Sequence, residues 1–165
     1  MKRSQMNDVH TLAVLVENKA GVLARVAGLF ARRGFNIESL AVAPTDERFS
    51  RITIVVDADS APLDQIMKQL DKLIDVVDIT ELDTESSALR EMVLVRLDVQ
   101  DEAKVREVHQ LVEGFSGSVI RVGGTRMMIS LSSRPRELDE FISQLRPFGI
   151  EELQRTGAIA IPGID

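Results

Sequence analysis

Most of the chemistry open to this sequence is confined to one short stretch, Leu15-Val16-Glu17-Asn18-Lys19-Ala20-Gly21-Val22-Leu23. An apolar run ends at Val16, residues 18–21 turn the chain, and apolar residues at helical spacing begin at once. The first turn of a helix leaves N–H groups without intrahelical partners and carries the positive end of the macrodipole, so it can seat a carboxylate. Gly21 lets the backbone approach such a ligand where a side chain would hold it off. Asn18 adds a donor and an acceptor beside it. Such a site recognises a small anion or zwitterion but holds no group that makes or breaks bonds. A plainer reading stands beside it, in which Asn18 caps the helix and Gly21 relieves a tight turn. Asn36, after Gly34 and Phe35, is open to the same two readings, as a turn residue or as a second donor–acceptor.

The rest of the composition removes other chemistries. The 165 residues contain no Cys, Tyr or Trp, which excludes disulfides, thiolate metal sites and a catalytic thiol, and argues against base-stacking platforms. His10 and His109 fall in different halves with no metal-ligand spacing. Asp57, Asp59, Asp64, Asp71, Asp75 and Asp78 read as a solvated acidic face. The formal net charge of −6, without a basic block, argues against nucleic acid as a partner. No apolar run approaches the ~18–20 residues that cross a membrane, and the first residues, Met1 to Met6, lack the apolar core of a signal peptide. A soluble cytoplasmic protein is expected, with no membrane association.

The elements that must position the loop follow from periodicity. Residues 11–16 alternate as a strand, residues 21–33 carry Val22, Leu23, Val26, Ala27 and Phe30 at helical spacing, and Gly34 stands as a left-handed stop. Strands are expected at 36–43, 51–56 and 76–82. Between the last two, Ser60-Ala61-Pro62 starts a helix with Leu63, Ile66, Met67 and Leu70 on one face. After a polar segment the order recurs. Strands are expected at 92–97, 119–122, around Met127, Ile129 and Leu131, and at 150–154, with residues 158–161 closing the unit. Helices are expected over 102–113 and from Ser133-Arg134-Pro135 through Leu138, Phe141, Ile142 and Leu145. Gly123-Gly124 reads as a two-residue hairpin loop. Ile37 maps onto Val119 and Ile52 onto Met127, so the halves are an internal repeat in which one hairpin has shortened. The fold class is α+β, two tandem ferredoxin-like βαββαβ units, with domains over 9–83 and 91–165 and a linker over 84–90. Right-handed crossovers give each sheet the order 4-1-3-2. The second strand then lies at an edge with apolar Ile37, Leu40 and Val42 on both faces, so pairing with a second copy is expected to cover it.

The run from Glu17 to Phe30, Glu-Asn-Lys-Ala-Gly-Val-Leu-Ala-Arg-Val-Ala-Gly-Leu-Phe, followed by Arg33-Gly34-Phe35-Asn36-Ile37-Glu38-Ser39-Leu40-Ala41-Val42, resembles the small regulatory subunits of acetolactate (acetohydroxyacid) synthase. Residues 65–76 and 90–95 agree with it, and over the second unit the fold pattern carries the match. The resemblance implies that the first unit is an ACT domain, the module many amino-acid-responsive proteins use. It implies a subunit without catalytic residues that activates a thiamine-diphosphate-dependent catalytic (large) subunit in valine, leucine and isoleucine biosynthesis and confers feedback inhibition by valine. No cofactor is then expected on this chain; thiamine diphosphate, Mg and FAD are expected on the catalytic subunit. The effector would bind between the ACT domains of a homodimer, with Asn18, Ala20, Gly21, Val22 and Leu23 from one subunit and Asn36 and Ile37 from the other. The family loop often has proline where this chain has Ala20, which leaves the loop less preorganised here.

Three rivals compete with that expectation. An RNA-recognition module shares the element order but needs aromatics on its first and third strands, and residues 12–16 and 51–56 have none. A ferredoxin-like phosphatase would use Asn18 and Arg25 around a phosphate, yet Arg25 lies a turn into the helix, on its polar side, with no nucleophile or base nearby. The strongest of the three is an ACT-domain sensor acting on a different enzyme or regulator, and co-purification with a large thiamine-dependent partner separates it from the first reading.

Overall fold

The computed structural model describes residues 9–57 and 63–164. Contacts divide the chain into two compact units: one runs to Ala88 and takes in the residues from Ala158 on, and the other is Leu89–Gly157. The closing residues thus group with the first unit. Ala158 and Ala160 are buried, and the Ala158 N–H donates to Ser39 Oγ at 3.2 Å.

In the first unit, β1 (Val9–Glu17) leads into α1 (Val22–Arg32), then β2 (Asn36–Pro44), β3 (Phe49–Asp57), α2 (Leu63–Leu70) and β4 (Val76–Leu82). The sheet runs β2-β3-β1-β4, antiparallel throughout, the order expected from the crossover rule. Alternation along β1 and β3 sends Leu12, Val14, Val16, Ile52, Ile54 and Val56 to the face under the helices, where they meet Val22, Val26, Leu29 and Phe30 of α1 and Leu63, Ile66 and Leu70 of α2. α1 stops where expected: Arg33 donates to the Leu29 and Phe30 carbonyls, and Gly34 takes φ +75°. The helix start read at Ser60-Ala61-Pro62 lies outside the described residues.

The second unit repeats the plan with β5 (Ala88–Asp98), α3 (Glu102–Gly114), β6 (Ser118–Gly123), β7 (Arg126–Ser133), α4 (Pro135–Leu145) and β8 (Ile150–Arg155); a last short strand, β9 (Ile159–Ile161), follows. Its four-stranded path is β6-β7-β5-β8, and its core is built from Val93, Val95, Leu97, Met127, Ile129, Leu131, Phe141 and Leu145 with their neighbours. The repeat extends to irregularities. A register shift falls after Ile37 in β2 and after Val119 in β6, and another between Leu15 and Val16 in β1 and between Arg96 and Leu97 in β5. Each sheet thus carries its irregularities at matched positions.

Two local expectations are corrected. The hairpin loop is Gly124-Thr125, because Gly123 still pairs with Arg126 and only Gly124 takes the positive φ (+60°) that a primed turn demands. The strand expected at 92–97 begins at Ala88, since Leu89 and Glu91 continue the inward set. Glu91 hides the alternation: it is a buried carboxylate on the core side, neutralised by Arg155, which also reaches Asp139.

Two exposed carboxylates give the fold an acid-sensitive component. The Glu85 N–H and the Ser86 hydroxyl donate to Asp83 and hold its carboxyl below the ordinary range. The Ser133 hydroxyl and the Arg134 N–H do the same for Glu137 at the start of α4. Both bind a proton less readily folded than unfolded. Their contribution is therefore complete above the unfolded carboxylate values of ~4 and is lost as pH falls through the lower folded values. Urea midpoints should hold from pH 7 to about 5 and decline below about 4. An Asp83→Asn/Glu137→Gln chain should show a shallower acid limb, and an unaltered limb would count against these groups.

Candidate functional site

Residues 18–21 join the end of β1 to α1, and the turn is held by its own backbone. Asn18 N–H donates to Arg48 O at 2.8 Å, Lys19 N–H to Glu17 O at 2.9 Å, and Glu17 N–H to Asp75 O at 2.8 Å. Gly21 occupies the N-cap with φ +83°, and its carbonyl accepts from Arg25 N–H at 3.1 Å. No side chain caps the helix, and its first turn has no acidic residue. The reading of Asn18 as the helix cap is thereby set aside. Among the described residues its amide makes no hydrogen bond, and the N–H groups of Ala20, Gly21, Leu23 and Ala24 find no acceptor. Exposed donors at a positive helix end form an anion seat. Lys19 lies alongside with its ammonium paired to Glu17, whose hydrogen bond raises the lysine above its usual value.

The side chains around this seat differ in what they can offer. Val22 is 2% exposed and belongs to the core, so it contributes backbone only. Leu23 is 38% exposed and stands free as an apolar contact. Asn36 is exposed and donates from Nδ2 to Glu38 Oε1 at 2.8 Å, and Ile37 is half-buried.

Sheet register sets where these groups stand. Glu17 lies opposite Phe49, whereas Asn36 lies opposite Asp57, which in turn faces Val9. The loop and Asn36 therefore occupy opposite ends of the sheet, roughly 27 Å apart along β1 at the usual rise per residue. Within one chain they cannot share a small ligand. A cavity of about 130 Å³ lies on the helix-free face of this sheet, lined by Ala13, Leu15, Arg51, Asp78, Thr80, Leu82 and Pro162, and none of the expected site residues borders it. Among the described residues, no group of three or more His, Asp or Glu is placed to hold a metal ion. None of the described helices is long and apolar enough to cross a membrane.

Asp75 departs from the solvated acidic face expected of it: it is 8% exposed and ion-paired with Arg25. Fifty residues separate the partners, so no local spacing joins them. The trace in the sequence was a basic residue one turn into a helix that otherwise opens without charge.

Residues 12–78 match the family described as AHAS small subunit-like ACT domain, and residues 90–163 match the family described as small subunit of acetolactate synthase. The chain is 46% identical over 153 residues to the probable acetolactate synthase small subunit of Archaeoglobus fulgidus, covering 92% of this chain and 95% of that one. It is 43% identical over 154 residues to the acetolactate synthase small subunit of Mycolicibacterium smegmatis, covering 92% and 89%. The crystal structure of the acetolactate synthase small subunit from Thermotoga maritima superposes with a TM-score of 0.86 at 37% identity, over 95% of this chain and 98% of that one.

Proposed function

The chain belongs to the acetolactate synthase small-subunit family, and from that premise we propose that it activates a catalytic acetolactate synthase subunit and imposes feedback inhibition by valine in branched-chain amino-acid biosynthesis. Catalysis, with thiamine diphosphate, Mg and FAD, resides on the partner chain in the cytoplasm. We assign the effector-binding function to residues 9–83 and take 84–90 as the linker to a second domain over 91–165, although by contacts the residues from Ala158 on group with the first unit.

The observation that carries the reading is the placement of the two asparagine clusters at opposite ends of one sheet. β2 is an edge strand, with Val42 44% exposed. Antiparallel pairing of β2 with the β2 of a second copy sets Asn36 of one beside the Pro44 end of the other. That end carries the partner copy's loop, because Pro44 pairs with Ser50 and Ser50 with Val16. The dimer therefore unites what a single chain separates, and it also covers an exposed strand edge.

Valine fits the united site. Its carboxylate accepts from the free N–H groups around Gly21, its ammonium donates to Asn18 and the opposing Asn36, and its isopropyl group rests on Leu23 and the opposing Ile37. Leucine and isoleucine differ by one methylene, worth ~1–3 kcal/mol, and bind less tightly. Inhibition needs unequal affinity of valine for two states of the subunit, a coupling of ~1–3 kcal/mol in typical cases.

Calorimetry on the purified chain tests this reading. Saturable heat at millimolar valine is expected, together with valine-sensitive activity when the chain is combined with the catalytic subunit. A dimeric protein that gives no heat overturns the effector assignment. Activity that does not respond to added small subunit overturns the partner.

A further inference from the structure

The loop that bears the free N–H groups is gripped at both ends by a single residue. Asp75, in the turn before β4, accepts the Glu17 N–H on its backbone carbonyl at 2.8 Å, which ties down the strand end that enters the loop. Its carboxylate pairs with Arg25 Nη2, which ties down the helix that leaves the loop. The carboxylate is 11% exposed while the guanidinium is 48% exposed, so the acid is the fixed member and the arginine is drawn to it. Arg25 then lies directly beside the seat, since a Cβ built on Gly21 would stand 3.4 Å from Arg25 Nη1. Lys19 also feels the Asp75 charge, but its ammonium is hydrogen-bonded to Glu17, and the direct ion pair of Asp75 is with Arg25.

We propose that Asp75 is a positioning residue for the effector seat: by clamping Glu17 and Arg25 it sets the separation of the two loop ends and hence the direction in which the free N–H groups around Gly21 converge. The proposal deepens the effector reading above and rests on it. Asp75 itself does not reach the ligand; it acts through the loop. A carboxylate this buried also discriminates between arginine and any neutral replacement, because an uncompensated charge in this position is costly. A loosened loop keeps its donors but must order them on binding, which lowers affinity without removing a contact.

The test is a double-mutant cycle read by valine calorimetry on the full-length chain, with melting curves taken in parallel. Asp75→Asn retains the backbone bond to Glu17 and removes the charge, and it should weaken valine binding about tenfold. Arg25→Gln, at a half-exposed site, should weaken it by a similar factor and carries the same test if Asp75→Asn melts early. The double variant should bind no worse than either single one, because both remove the same clamp. Native affinity in both single variants, or additive losses in the double variant, overturns the proposal while the effector reading stands. Absence of valine heat in the native chain removes the effector reading itself, and the proposal with it.

Discussion

Replacing Gly21 by aspartate should weaken valine binding about a hundredfold, the equivalent of one charge-assisted hydrogen bond. Gly21 sits at φ +83°, where most residues lose ~1–2 kcal/mol but Asp and Asn are comparatively tolerated. The fold should therefore survive, and the melting temperature should fall by only a few degrees. The new side chain grows toward Arg25, whose Nη1 lies 3.4 Å from the position of its Cβ. It brings a carboxylate to the helix end whose Leu23 and Ala24 N–H groups have no acceptor among the described residues. There it satisfies the positive end of α1 from within and repels the carboxylate of the ligand. Gly21→Ala separates the two effects, since it introduces the backbone strain without the charge. It should lose more stability than affinity. A Gly21→Asp chain that binds valine within threefold of the native constant would mean that the N-terminus of α1 is not the seat.

The second large effect concerns the other unit. Arg155 on β8 makes two bonds to Glu91, Nε to Oε1 at 3.0 Å and Nη2 to Oε2 at 2.5 Å, and reaches Asp139 Oδ1 on α4 with Nη1 at 2.6 Å. Burial works against its charge, but hydrogen bonds and proximity to Glu91 and Asp139 prevail and raise the guanidinium above its ordinary value. Glu91 is 6% exposed. Arg155→Ala leaves that carboxylate buried without a counter-charge and should cost about 3 kcal/mol or more of stability, read as a lower urea midpoint. Removing both charges with Arg155→Met/Glu91→Met should cost clearly less, because the penalty comes from the orphaned ion rather than from the loss of a favourable bond. Equal losses in the two variants would reduce Arg155 to a packing residue.

Glu91 also shows where a sequence stops being legible. A charged residue in an inward position breaks the apolar alternation on which strand recognition depends, so β5 read as starting four residues late. Its partner is 64 positions away. The same holds for Asp75: from its neighbours it is one more surface acid, and it becomes a buried clamp only once Arg25 is folded against it. The hairpin loop lies one residue beyond the expected pair because adjacent glycines both permit a positive φ, and register across the ladder decides which of them adopts it.

What the amino-acid order determined alone was local and periodic: βαββαβ twice, the faces of α1 and α4 that enter the cores, the left-handed stop at Gly34, and a loop with a glycine at the head of a helix. These follow from interactions spanning a few residues, where side-chain period and backbone preference are enough. Tertiary structure alone decided that the residues 18–21 loop and Asn36 stand at opposite ends of one sheet, and that Asp75 holds both ends of that loop. Strand register and burial depend on groups far apart in the chain. The free energy of a buried charge or an unpaired N–H is defined by what folding brings against it, and a window of sequence does not contain those partners.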